Sequence, residues 1–353
     1  LSRDACIILA SHLGRPKGQV KMEFSLQPVA RRLGKILGLE VTMAPDCIGG
    51  DVAALAEGLA GGQILMLENL RFHKEETQND SEFGKALASL CDIYINDAFA
   101  VSHRANASVV SITEHAPISA AGLLLKKELD FFEKAMKTPV RPLVAIVGGA
   151  KISSKLSALK NMLQHVDKII VGGAMANTFI KGSGCDVGRS LIEEDMVATA
   201  VDLIGKARER NIKFYMPVDV VAADRLDPEA RLKNVPIQEI PPEWLAADIG
   251  PATSCLFSEV LQDAGTIIWN GPMGVFEMAP FSHGTFELAR VVAGSKATSI
   301  IGGGETGSAV QKAGVADQMS YISTGGGAFL TLMEGEQLVA VAALEMAAST
   351  ELS

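Results

Sequence analysis

The sequence predicts an α/β fold in two domains, and three observations predict it. Short β-rich apolar runs alternate with helical stretches along all 353 residues. The runs are nearly all apolar rather than alternating, as strands covered on both faces should be. The stretches between them carry apolar side chains at helical spacing, such as Ile152, Leu156, Leu159 and Leu163, or Val197, Ala200, Leu203, Ile204 and Ala207. Alternation of this kind implies parallel sheets with right-handed crossovers, and the length suits two domains. The expected architecture is therefore two Rossmann-like domains, joined by a helix and separated by a cleft.

In chain order, the predicted strands of the first half are Ala5–Ala10, Val41–Met43, Gln63–Leu67 and Ile93–Ile95. Those of the second half are Leu143–Val147, Lys168–Val171, Lys213–Tyr215, Ile267–Trp269, Ser299–Ile301 and Met319–Ile322. Between the halves, Gly122 opens a helical stretch that ends before Thr138-Pro139-Val140-Arg141-Pro142. Proline cannot continue a helix, so this reads as a connector. The expected division is a first domain over 1–121 with a returning tail over about 338–353. A connecting helix over 122–137 and a second domain over 138–337 complete it.

Composition narrows the function. A net charge of −9 disfavours nucleic acid as the main partner. No run of about 18 apolar residues suggests a membrane span. The cysteines Cys6, Cys47, Cys91, Cys185 and Cys255 lack CxxC spacing and read as small reduced core residues of a cytoplasmic protein. The histidines lack ligand-like spacing, which argues against zinc.

Glycine-rich turns carry the strongest chemical signal. Gly148-Gly149-Ala150-Lys151-Ile152-Ser153-Ser154-Lys155, Gly302-Gly303-Gly304-Glu305-Thr306 and Ser323-Thr324-Gly325-Gly326-Gly327 each follow an apolar run and open a helix. Glycine lets backbone approach a ligand, and the next helix's amides and dipole favour an anion. Lys151 and Lys155, four apart, should share one face, and Ser153 or Ser154 can cap the helix. The GxxxxGK[ST] spacing of a Walker A loop is absent. Glu305 could reach magnesium, which takes one or two carboxylates when bound to nucleotide, or simply complement the helix dipole. Trp269-Asn270-Gly271-Pro272-Met273-Gly274-Val275-Phe276-Glu277 could wall a purine and ribose, with Glu277 accepting from the hydroxyls, or be a buried turn. Gly172 and Gly173 could admit a flat ring. In the first half, His12, Arg15, Arg71 and Arg104 recur just after strand ends. If those strands are parallel neighbours, these side chains converge as forks for carboxylates and phosphates.

Taken together, Ser11–Pro16, Leu67–Phe72, Asn96–Arg104, Ala145–Lys155, Trp269–Glu277, Gly302–Thr306 and Ser323–Phe329 closely resemble the phosphoglycerate kinase family, in the family's order along essentially the whole chain. The resemblance implies a first domain for 3-phosphoglycerate, a second for magnesium nucleotide, and hinge closure between them. It places His12, Leu13, Gly14, Arg15, Arg71 and Arg104 at the phosphoglycerate. It matches Lys151 to the lysine that tracks the transferring phosphoryl group, and Gly325, Gly326 and Gly327 to the helix start that stabilises transition-state charge. It sets Gly149, Lys155, Gly172, Gly173, Asn270, Pro272, Glu277, Gly303, Gly304, Glu305 and Thr306 around the nucleotide, with Glu305 at the metal.

The resemblance thus implies reversible phosphoryl transfer from 1,3-bisphosphoglycerate to ADP, giving 3-phosphoglycerate and ATP, with Mg2+ as cofactor. It implies a monomer acting on small molecules in the cytoplasm, with no nucleic-acid or membrane partner. There are two departures. Glu305 stands where the family usually has aspartate. The family's first strand, with its Arg-x-Asp-x-Asn signature and a following arginine, has no counterpart, so the sequence reads as N-terminally incomplete. The alternative is that this exact chain is a catalytically impaired nucleotide-binding fragment. A kinase of another acid with the same architecture is a third reading.

Overall fold

A computed structural model of the chain describes residues 4–351. It divides into two units, residues up to 126 together with those from 337 on, and residues 127–336. The helix Leu123–Lys137 runs through the cut.

In the first unit, β1 (Ile7–Leu9), β2 (Val41–Met43) and β3 (Ile64–Met66) form a parallel sheet in the order β1-β3-β2. A separate parallel pair joins β4 (Ile93–Asn96) to β5 (Ile118–Ala121). The sequence reading lacked β5, whose Ile-Ser-Ala-Ala is too short and too small to stand out as a strand. The convergence expected of the basic residues is conditional on parallel neighbouring strands, a condition met by β1 and β3 but not by β4, which pairs with β5. Leu65 and Leu67 anchor a core with Phe83, Leu87 and Cys47. The helix Val339–Glu351 returns to this unit, and the Ala340 amide donates to the Ser102 carbonyl at 3.1 Å.

In the second unit the main sheet contains β6 (Leu143–Val147), β7 (Lys168–Val171), β8 (Lys213–Tyr215), β12 (Thr266–Asn270), β13 (Thr298–Gly302) and β14 (Tyr321–Ile322). Its order is β14-β13-β12-β6-β7-β8, all parallel. Every residue of β6, β7 and β12 is buried, the physical reason their sequences are continuous rather than alternating. Ile146, Trp269, Ile301 and Phe257 fill the core on one side, and the Trp269 indole N–H is satisfied by the Gly271 carbonyl at 2.7 Å.

A second, antiparallel sheet corrects the expectation of parallel strands throughout. It is built from β9 (Asp219–Ala223), β10 (Leu232–Pro236) and β11 (Leu245–Ile249) in the order β10-β9-β11. β10 is a mostly exposed edge reading Leu-Lys-Asn-Val-Pro, tolerant of proline because no further strand pairs with it among the described residues. The cysteines also differ from expectation. All five are free, but only Cys47 is buried, while Cys6 and Cys255 are exposed. No helix among the described residues is long and apolar enough to cross a membrane.

Candidate functional site

The first unit presents a cationic cluster. His12 and Arg15 follow β1, and Arg71 follows its parallel partner β3, so both loops leave the same end of the sheet. The loops are tied together: the Asn69 side-chain amide donates to the Leu13 carbonyl at 2.8 Å and to the Phe24 carbonyl at 2.9 Å. The Asn69 carbonyl oxygen accepts from the Arg71 amide at 3.0 Å, and an Arg71 terminal nitrogen donates to the Gly14 carbonyl at 3.0 Å. Gly14 sits at φ +64°, and a methyl there would run into the Phe24 ring. The buried Glu68 fixes the neighbouring turn by accepting from the Ser25 hydroxyl and the Leu26 and Asn69 amides.

Arg104 joins this cluster electrostatically although β4 belongs to the other sheet. Burial and then the charges of Arg71 and Arg104 hold the His12 imidazole down at about 4. His12 is therefore neutral at pH 7 and offers hydrogen bonds, not the charge its place among the basic residues suggested. Burial, then Arg104 and Arg15, lower Arg71 as well, against the opposing pull of Glu76. The Arg71 Nε is buried and has no partner. Mutually repelling guanidinium groups with an unmet donor favour an anion at this spot.

The second unit builds its site from main chain. The turns after β6, β7, β12 and β13 meet at the carboxyl ends of parallel neighbours, where open α/β sheets bind ligands. The Gly148 amide donates to Asn270 O at 2.9 Å and Gly149 to Pro272 O at 3.2 Å. The Gly173 amide donates to Met273 O at 3.0 Å, and the Met175 amide to Gly149 O at 2.9 Å. The Thr306 hydroxyl oxygen accepts from the Gly271 amide at 2.7 Å, which joins the β13 turn to the β12 turn. A methyl on Gly326 would press on the Gly303 backbone at 3.1 Å, so the β14 turn abuts this group. Gly149, Gly173, Asn177, Pro272, Glu277 and Glu305 face one cavity of about 170 Å³. Of the other residues expected around the nucleotide, Gly172, Asn270, Gly303, Gly304 and Thr306 lie in the turns that support this cavity rather than along it.

The lysine turn differs from its sequence reading in three respects. Lys151 lies before a short 3-10 turn, Ser153–Lys155, and is exposed, whereas Lys155 folds inward. The Lys155 ammonium donates to Asn270 O at 2.9 Å and Oδ1 at 2.5 Å, so the two lysines do not share a face. Burial lowers Lys155 to about 8, against the opposing pull of Glu305. The serines do not cap the helix Leu156–Met162; the Ser154 hydroxyl donates to Lys151 O at 2.8 Å and that of Ser153 to Glu193. Of the turn's amides, those of Ile152 and Ser153 are met by the Glu193 carboxylate.

Sequence reasoning missed Glu193, Asp248 and Glu128. Asp248 lines the cavity and accepts from the Gly284 amide at 2.8 Å and the Ile249 amide at 2.9 Å; burial nevertheless raises it to about 7. Glu128, buried on the 123–137 helix, accepts from the Thr324 amide and hydroxyl at 2.7 and 2.8 Å and so fixes the approach to Gly325–Gly327. No local signal marks these carboxylates, since each has partners distant in sequence.

Comparison with known proteins agrees with this geometry. The phosphoglycerate kinase family model matches residues 1–336. The chain is 57% identical to the phosphoglycerate kinase of Geobacter metallireducens over 98% of its own length and 87% of the relative's. A solved phosphoglycerate kinase from Coxiella burnetii superposes with a TM-score of 0.89 at 43% identity, over 98% of this chain and 87% of that one. The Pyrococcus horikoshii enzyme does so at 0.84 and 29% identity, over 99% and 88%. With motifs, sheet order and relatives in accord, the chain belongs to the phosphoglycerate kinase family and is a glycolytic kinase, an enzyme of phosphoryl transfer.

Proposed function

We propose that the cationic cluster of the first unit holds 3-phosphoglycerate or 1,3-bisphosphoglycerate and that the glycine cradle of the second holds ADP or ATP. The observation that supports this most is the meeting of the β6, β7, β12 and β13 turns around one cavity at the carboxyl ends of their strands, with Lys155 and Glu305 beside it. Arg15, Arg71 and Arg104 clamp the acid's anionic groups, and neutral His12 donates or accepts a hydrogen bond. Leu13 and Gly14 keep the loop close enough for main-chain contact. Glu277 accepts from the ribose, while Gly149, Gly172, Gly173, Asn270 and Pro272 shape the wall for the base.

In the synthesis of 1,3-bisphosphoglycerate, a carboxylate oxygen of the acid attacks the γ-phosphorus of ATP. A new P–O bond forms, the bond to ADP breaks, and no proton moves, because a carboxylate is already ionised at neutral pH. Catalysis is then placement and charge neutralisation. Lys151 follows the moving phosphoryl group, Gly325, Gly326 and Gly327 supply helix-start amides, and Gly303, Gly304 and Thr306 hold the nucleotide phosphates. Glu305 is exposed at the cavity and could be one of the one or two carboxylates that a nucleotide-bound magnesium ion takes. Mg2+ bound there would supply positive charge to the phosphate oxygens. The exposed free thiols of Cys6 and Cys255 suit a reducing cytoplasm, and we take the enzyme to act as a monomer, which sedimentation would check.

The test is a coupled assay with magnesium ATP, with and without 3-phosphoglycerate. Turnover dependent on 3-phosphoglycerate is expected, and Lys151→Ala should lower kcat by about 10²–10³ while changing KM little. Equal losses in kcat and affinity would remove Lys151 from its role. Nucleotide binding without turnover would favour the impaired fragment.

A further inference from the structure

We propose that Glu193 is a positioning residue for phosphoryl transfer, one that clamps the Lys151 turn onto the helix lining the nucleotide cavity. The proposal rests on the reading of Lys151 given above. The Glu193 carboxylate accepts from the Ser153 amide at 3.0 Å and from the Ser153 hydroxyl at 2.5 Å. It also accepts from the Ile152 amide and faces the Lys151 charge. A helix start normally offers such amides to an external anion. Here the protein supplies the anion itself, from a residue 40 positions away. Burial pushes this carboxyl up, yet the Ser153 hydroxyl, the two amides and Lys151 together hold it below the ordinary range.

The other side of the clamp is equally specific. The Glu193 amide donates to the Thr178 hydroxyl at 3.1 Å, and the Asn177 side chain donates to Leu191 O at 3.3 Å. Both partners belong to the helix Met175–Gly182, and Asn177 lines the cavity. That helix begins on Gly149, through the Met175 amide. The Lys151 turn is therefore held at both ends by one element, directly at Gly149 and through Glu193 at Ile152 and Ser153. A surface lysine has several rotatable bonds, so fixing its backbone removes much of the wander at its ammonium, and small misplacements of a reacting group cost large factors in rate.

The experiment uses the full chain with Glu193→Ala, Glu193→Gln, Lys151→Ala and the Glu193→Ala/Lys151→Ala pair. Glu193→Ala should lower kcat about tenfold with both KM values within about twofold and a thermal midpoint within about 2 °C. Glu193→Gln, which keeps one acceptor for Ser153 and is the safer variant for folding, should fall in between. On the Lys151→Ala background, removing Glu193 should change kcat less than about twofold, since the group it places is gone. An unchanged kcat, a matching loss on both backgrounds, or parallel losses of kcat, affinity and midpoint would each overturn the proposal. A Lys151→Ala enzyme with full turnover would overturn the Lys151 reading itself, and a crippled Lys151→Ala beside an unimpaired Glu193→Ala would overturn the clamp alone.

Discussion

The two units build their candidate sites from opposite materials. The first gathers side-chain cations, Arg15, Arg71 and Arg104, around a histidine that burial, and then the charges of Arg71 and Arg104, keep neutral. The second uses backbone, with Gly148, Gly149, Gly173 and Gly271 packed so closely that main-chain groups bond to one another across turns. A side-chain site is stated by a few residues and can be weakened one contact at a time. A backbone site is stated by missing side chains, and a single added methyl should damage the fold before it damages binding.

The largest expected effect breaks the backbone half. Gly271 lies at φ +105°, and a methyl there would lie 2.2 Å from the Gly148 carbonyl oxygen. Gly271→Ala should cost about 4 kcal/mol or more of stability by chemical denaturation, through combined strain and clash. Next comes the side-chain half. Arg71→Met should raise the KM for 3-phosphoglycerate about 10–100-fold, the range of one lost charge-assisted contact, and leave the KM for ATP and the stability nearly intact. If Arg71→Met unfolds the unit instead, the contrast between the two materials fails.

The smallest effects sharpen the comparison through pH, where the units have opposite signs. His12 has a folded value of about 4, below its ordinary 6.5, so the unfolded chain binds more protons between those values. Its contribution to stability is present above pH 6.5 and is lost as pH falls towards 4. Asp248 is raised from 3.8 to about 7, so the folded chain keeps the extra proton. Its contribution is present below pH 3.8 and is lost as pH rises to 7. Denaturant titrations of His12→Asn should flatten the first slope and those of Asp248→Asn the second. Slopes unchanged by either variant would mean that neither group titrates as its surroundings dictate.

Much of this was legible in the sequence, and the reasons are physical. β2, β6, β7 and β8 have the bounds read for them; for β6 and β7 the reason is continuous burial, which leaves a nearly continuous apolar run. Of the antiparallel strands, β10 escaped because its exposed edge, Leu232–Pro236, carries polar residues and proline where a buried strand would carry valine. The glycine turns pointed to the cavity because close approach excludes Cβ, and that exclusion is visible as composition. The supporting carboxylates were not legible: Glu128 meets Thr324 from 196 positions away, and Glu193 sits in an ordinary acidic run. The inward fold of Lys155 was hidden for a related reason, since its partner Asn270 lies 115 positions on.

The return of the helix Val339–Glu351 to the first unit has a consequence for biosynthesis. A ribosome delivers residues 127–336, the whole of the second unit, before it delivers the helix that packs on β5 and the Ser111–Glu114 turn. The first unit's strands, made before the second unit, are thus completed after it, and that surface stays bare until residues 339–351 have been made. The second unit is continuous in sequence and needs no such closure, so nascent chains should gain protease resistance there first.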